Sequence, residues 1–348
     1  MERTTIAVDI AKRVFQAHGV DPASGEVTRI KLQRAEVLPH FARLAPALIV
    51  MEACGSAQHW ARQLTKLGHE VKLISPQFVK PFVKTNKNDA ADAQAIWTAA
   101  QQPEMRAVAV KSEEQQAVLA LHAIRERLKR VRTAAVNQLH GLMGEFGIAL
   151  PKGWQTMLAQ AAASLEPADS AVPALLRPQL QRQLQEVRDL TEQMTQVERQ
   201  IACWKRHHEE CERIGAIPGV GLLTATAAVA TIGQASAFSS GRQFAAYLGL
   251  VPRQRGTGGR VQLLGISKRG DTHLRTLLIH GAHSVLANSR RSSKTPNAWL
   301  SRLRQRRPHN VTAVALANKM ARQIWAILAH GRTYEPDRGL PKAVAAPA

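Results

Sequence analysis

Two short apolar runs that each close on an acid constrain this chain more than any other feature. Thr4–Asp9 and Ala47–Glu52 are rich in β-favouring residues, and their last positions are the carboxylates Asp9 and Glu52. Both read as strands, and α/β sheets place ligands beyond the carboxyl ends of their strands. A second pair, Asp89 and Asp92, stands three residues apart in an alanine-rich stretch and shares one face of a helix. Gathered within a few ångströms, such acids repel one another and move toward protonation unless a cation neutralises them. Magnesium, bound through oxygen ligands, is the natural occupant.

The rest of the chain has the opposite sign. It carries a formal net charge of +21 over 348 residues, with basic side chains densest in Arg125–Arg132, Arg253–Arg275 and Arg290–Arg307. An acidic knot inside a basic protein points to phosphodiester chemistry on nucleic acid. Cys54, Cys203 and Cys211 lack the spacing of a zinc ribbon or a disulfide framework, and His207 and His208 between the last two read as a polar helix surface. No apolar run reaches the roughly 20 residues of a membrane span, and no signal peptide is evident, so a soluble, cytoplasmic, nucleoid-associated protein is expected.

The length allows two or three domains, read here as 1–110, 111–208 and 209–335 with a tail from 336 to 348. The first is α/β. Strands at Thr4–Asp9, Val14–Val20 and Val27–Leu32 form an antiparallel meander, followed by a helix near Val37–Leu44, the strand Ala47–Glu52, a helix through Leu67 and the strand Val71–Ser75. Pro76–Asn88 reads as a basic loop, with Lys84 and Lys87 set to hold a phosphate backbone. Glu113–Phe146 and a second run from Leu180 to Trp204 have apolar residues at coiled-coil spacing, within one chain or between chains. Ile217-Pro-Gly219-Val-Gly221 resembles a helix-hairpin-helix turn, in which Gly219 and Gly221 expose backbone N–H groups to a phosphate. A glycine-rich loop at Arg253–Arg260 and helices at Thr272–Leu286 and Val311–Leu328 complete a mostly α third domain.

In this order, the motifs Val-Asp9-Ile-Ala-Lys, Met-Glu52-Ala-Cys-Gly-Ser, Lys-Asn-Asp89-Ala-Ala-Asp92, Ile-Pro-Gly-Val-Gly221, Gly-Leu-Val-Pro252 and Ile-Ser267-Lys-Arg-Gly-Asp-Thr-His-Leu-Arg275 are specific as a set. Together they resemble the DEDD-type insertion-sequence transposases, a family of bridge-RNA-guided recombinases. The resemblance implies a ribonuclease-H-like (RuvC-like) first domain with metal ligands Asp9, Glu52, Asp89 and Asp92, a coiled-coil insertion and a C-terminal transposase domain. It also implies Mg²⁺-dependent DNA strand exchange, a structured guide RNA and a homo-oligomer. The family's nucleophilic serine belongs in the loop after Pro252, where this chain has no serine and Thr257 is the nearest hydroxyl. Thr257, Ser267 or an impaired copy are the open readings. Arg253, Arg255, Arg260, Lys268, Arg269 and Arg275 are expected to contact nucleic acid. A junction-resolving nuclease with water as nucleophile is the alternative, and a non-catalytic nucleic-acid-binding protein a third.

Overall fold

The computed structural model describes residues 4–83, 89–103, 105–166, 170–291 and 298–335, without the side chains of residues 89, 90, 290 and 291. The chain divides into two compact units, Met1–Gln115 with Ile232–Ser239, and Gln116–Thr231 with Ser240–Ala348.

The first unit is built on β1 (Thr5–Ile10), β2 (Val14–Val20), β3 (Val27–Gln33), α1 (Val37–Phe41), β4 (Leu48–Glu52), α2 (Ala57–Lys66), β5 (Glu70–Ile74), α3 (Pro76–Val79), α4 (Asp89–Ala100) and β6 (Ala107–Val108). The strands form one sheet in the order β3-β2-β1-β4-β5-β6. β1, β2 and β3 pair antiparallel, as the turn at Asp21–Gly25 foretold, whereas β1, β4 and β5 run parallel through crossovers. Side chains alternate across the sheet. Val8, Ile49, Met51 and Leu73 therefore face α1 and α2, packing with Phe15, Phe41, Trp60 and Leu64. Ala7, Val50 and Ile74 face the other way, against Ala95, Ile96 and Ala99 of α4. Each large side chain fully buried in this way stabilises the fold by roughly 1.5–3 kcal/mol. This α/β sheet is compatible with a ribonuclease-H-like fold. Pro76–Phe82, expected as loop, instead forms α3 and a 3-10 turn. Proline at the first helical position pre-sets φ and loses no helical hydrogen bond there.

The second unit contains α5 (Glu113–Gly144, from Gln116 onward), α6 (Trp154–Leu165), α7 (Arg177–Arg206), α8 (Glu209–Gly215), α9 (Leu222–Ile232, to Thr231), α10 (Gly241–Tyr247), β7 (Pro252–Thr257), β8 (Arg260–Ile266), α11 (Thr272–Arg291), α12 (Ala298–Arg306) and α13 (His309–His330). The two long helices pair antiparallel within the chain. Val118 of α5 meets Ile201 of α7, Leu128 meets Leu190 and Met194, and Leu139 and Met143 meet Leu180 and Leu184. Arg125 donates to Glu198 across this seam at 2.6 Å. α6, unrecognised from sequence because prolines flank it, covers the far end with Met157, Leu158, Ala161 and Leu165.

Candidate active site

The register of the sheet brings the first two acids together. Val8 pairs with Met51 on the parallel strands β1 and β4, so the next residues are Asp9 and Glu52, on strands about 4.8 Å apart. By alternation Asp9 shares the face of Ala7 and Glu52 that of Val50, the face covered by α4. Both are half-buried. Their charges converge on the next turn. The Cys54 thiol is held above its ordinary value by partial desolvation first, then by Glu52, then by Asp9. Beyond it Ser56 adopts φ 69°, a left-handed conformation at the residue that precedes α2.

The third acid comes from α4. Asp92 is half-buried and stands four residues before Ile96 and seven before Ala99, both fully buried against the sheet. That spacing puts Asp92 on the sheet-facing stripe, in the first turn of the helix. Asp89 begins the helix, but its side chain lies outside the described residues, as do Lys84 and Lys87 entirely. Among the described residues no group of three or more His, Cys, Asp or Glu closes around one point. The donors available are nevertheless all carboxylate oxygens, the hard ligands that suit Mg²⁺ or Mn²⁺ rather than a softer ion.

The cysteine-histidine segment makes no such centre. His207 Nδ1 lies 3.0 Å from the Cys203 carbonyl, and His208 stacks on Trp204 with ring centroids 3.8 Å apart. Cys211 is buried, not part of a polar surface, and its thiol is pushed up to about 12 by desolvation and then by Glu210.

In the second unit the glycine-rich segment is a β-hairpin, not a loop. β7 and β8 pair antiparallel through Gly258 and Gly259, whose φ values of 56° and 80° make a two-residue turn that only residues tolerating positive φ can form. The register pairs Thr257 with Arg260 and Arg255 with Gln262, while Gln254 faces Leu263 and Gly256 faces Val261. One face of the hairpin thus carries Arg255, Thr257, Arg260 and Gln262, and the other carries Val261 and Leu263. Every residue from Pro252 to Gly265 is exposed. Thr257 accordingly stands at the tip between two arginines, and Arg253 lies nearer the base. Ser267 is half-buried, and its Oγ accepts from the Arg269 N–H at 3.5 Å.

The two motifs flanking the hairpin interlock. The Lys268 N–H donates to the Gly249 carbonyl at 3.1 Å, with Lys268 at φ 55°. A Cβ on Gly249 would lie 2.2 Å from the Arg269 oxygen, and one on Gly270 would lie 1.7 Å from the Tyr247 oxygen. Arg275 is only 7% exposed, and its guanidinium donates to the Leu248 and Arg269 carbonyls at 2.9 and 3.0 Å. It ties the motifs together inside the fold, whereas Lys268 and Arg269 are exposed. Gly219, at φ 87° in the turn between α8 and α9, faces Gly281 of α11 so closely that a Cβ would meet the Gly281 oxygen at 2.7 Å. Its glycine character has this packing reason, while Gly221 is exposed with no atom nearby to exclude a side chain. Sequence reasoning did not foresee that the Cys54 thiol feels both Glu52 and Asp9, nor that Gln262 shares the Thr257 face, which only hairpin register reveals.

Known proteins supply an independent comparison. A profile described as "Transposase IS116/IS110/IS902 family" matches residues 211–296. An IS110-type DEDD transposase profile matches residues 6–148. A "Probable family 20 transposase" of Pseudomonas aeruginosa is 49% identical over 337 residues, covering 97% of this chain and 100% of that protein. The transposase for insertion sequence element IS1111A of Coxiella burnetii is 42% identical, over 94% of this chain and 90% of its own length. The transposase for IS1328 of Yersinia enterocolitica is 38% identical, over 95% and 98% respectively.

Proposed function

The chain belongs to the IS116/IS110/IS902 family of DEDD transposases, and from that premise we propose that it cuts and exchanges DNA strands at a Mg²⁺-dependent carboxylate site, with Thr257 as nucleophile. The observation that carries the first part is the register placing Asp9 beside Glu52 on the α4 face, with Asp92 on the facing stripe. Asp9, Glu52, Asp92 and Asp89 would hold the metal. When bound, it supplies positive charge to the phosphate oxygens and lowers the pKa of a hydroxyl.

The chain's own groups do the rest. Thr257 Oγ attacks phosphorus and gives up its proton. The new Thr257–phosphate ester keeps the phosphodiester energy, and the departing DNA hydroxyl takes up a proton. Arg255 and Arg260, on the Thr257 face of the hairpin, are placed to neutralise the phosphate as charge builds. The exposure of Thr257 favours it over the half-buried Ser267. The carboxylates and the hairpin lie in different units. Lys84, Lys87, Gly221, Arg253, Lys268 and Arg269 hold the backbone of the nucleic acid, while the buried Arg275 is left out of that set.

A guide RNA selects the target by pairing, and the enzyme acts as a homo-oligomer. These two statements rest on the family likeness and on the net charge of +21. Cleavage of element-end DNA by purified protein, with Mg²⁺ and candidate RNA, is the test. Asp9→Asn abolishes cleavage and leaves nucleic-acid binding measurable. Unchanged strand exchange in that variant removes the metal assignment. Cleavage without any trapped protein–DNA adduct favours water as nucleophile, and hence a junction-resolving nuclease.

A further inference from the structure

The second unit contains an open groove of about 1550 Å³ between α10, α12, α13 and the base of the β7–β8 hairpin. Its lining includes Arg242, Arg307, Lys319, Arg322 and Arg332 against a single acid, Glu335. Four of these cations, all but Lys319, are exposed. The fold brings two of them together on the rim. A Cβ on Gly241 would meet the Arg322 carbonyl at 3.0 Å, so its absence lets α10 close onto α13 and sets Arg242 near Arg322.

The walls also carry aromatic rings. Trp299 of α12 and Trp325 of α13 line the groove and are half-buried. Lys319 lies over the Trp299 ring at 4.5 Å, which holds a cation against that aromatic surface. The volume exceeds the roughly 300–1,000 Å³ of a small-molecule pocket. It suits a chain-like ligand that is negatively charged and bears flat apolar groups.

We propose that this groove binds an unpaired stretch of nucleic acid, with Arg242, Arg307 and Arg322 on its phosphates and a base against Trp299. The inference rests on the reading that the protein acts on nucleic acid, and it adds the strand form and the place of contact. A duplex offers this groove only phosphates, because its bases are stacked inward. An unpaired strand offers both groups that the walls are built to receive. Such a strand comes from an RNA loop or from DNA opened during strand exchange, and one experiment separates the sources.

Fluorescence anisotropy on the full chain would use labelled RNA and DNA single strands of about 12 nucleotides, together with the matching duplex. Trp299→Ala should weaken single-strand binding about tenfold while changing duplex binding less than about twofold. Trp299→Phe should restore most of the loss. Arg242→Ala with Arg322→Ala should reduce the slope of log K against log salt by roughly 1.4 for the single strand. Loss confined to RNA identifies an RNA loop as the occupant, and equal loss on RNA and DNA identifies any unpaired strand. Two outcomes overturn the proposal: single-strand affinity unchanged in Trp299→Ala and in the double-arginine variant, or single-strand and duplex affinities falling together. A wild-type protein that binds none of the probes would overturn the nucleic-acid reading itself. Matching melting curves for variants and wild type separate these effects from unfolding.

Discussion

Protonation of His122 should govern the acid stability of the second unit. This side chain on α5 is 2% exposed, and its Nε2 lies 3.0 Å from Thr226 Oγ1 on α9. The Thr226 hydroxyl donates to the Leu222 carbonyl at 2.8 Å, so its oxygen accepts from the imidazole Nε2–H. Nδ1 is then the site of any second proton, and it is buried without a hydrogen-bond partner among the described residues. The His273 ring of α11 lies 5.3 Å away. Burial first, then His273 and Arg125, holds the His122 pKa down to about 4 from the ordinary 6.5. Between those values the unfolded chain binds more protons than the folded one, so stability present above pH 6.5 is lost as pH falls toward 4. At 1.36 kcal/mol per tenfold, the loss is about 2 kcal/mol by pH 5 and about 3 kcal/mol by pH 4. Hydrogen exchange at α5, α9 and α11 amides, corrected for intrinsic rates, reads this loss locally. His122→Gln keeps a donor toward Thr226 but cannot titrate, so its protection should fall less than that of wild type over the same interval. An equal fall in both proteins would refute the reasoning.

Gly270→Ala places a methyl 1.7 Å from the Tyr247 oxygen at φ 78°. It should therefore destabilise the protein by more than about 3 kcal/mol, and an unchanged melting temperature would contradict the interlock. Leu184→Ala removes a side chain 2% exposed in the α5–α7 seam. It should cost about 2–5 kcal/mol in urea denaturation, against less than about 0.5 kcal/mol if the helices did not pair. Thr257→Ser should keep the covalent protein–DNA adduct on denaturing gels and Thr257→Ala should lose it, whereas an adduct persisting in the alanine variant assigns the nucleophile elsewhere.

The sheet was legible because its signals are local. The meander needed only alternating apolar runs around the Asp21–Gly25 turn, and β4 announced itself by five apolar residues ending at Glu52. β6 was not legible, since Ala107–Val108 is too short to show a period and exists through pairing with Leu73 and Ile74. Nor was the hairpin at Pro252–Ile266. Its Gly258-Gly259 turn was present in the sequence, but exposed polar flanks hid the strand pattern. Asp9 and Glu52 stood out in the sequence by their strand-end positions, and Asp89 and Asp92 by their three-residue spacing in an alanine-rich stretch. Which face Asp9 and Glu52 share depends on register, which only the paired strands reveal. Arg275 misled for a related reason. Its guanidinium serves the Leu248 and Arg269 carbonyls, and a basic motif alone cannot tell a buried clamp from a phosphate contact. Gly219 looked like a phosphate-binding turn, and its approach to Gly281, far along the chain, supplies a packing reason for the same residue.

Calorimetric titration of the purified full chain with Mg²⁺, or with Mn²⁺ followed by paramagnetic resonance, tests most directly whether Asp9, Glu52 and Asp92 form one metal-binding site. Wild type should bind the ion saturably. Asp9→Asn and Asp92→Asn should each lose that binding while retaining the wild-type circular dichroism spectrum. Metal affinity left intact in both variants would show that these carboxylates do not share a cation.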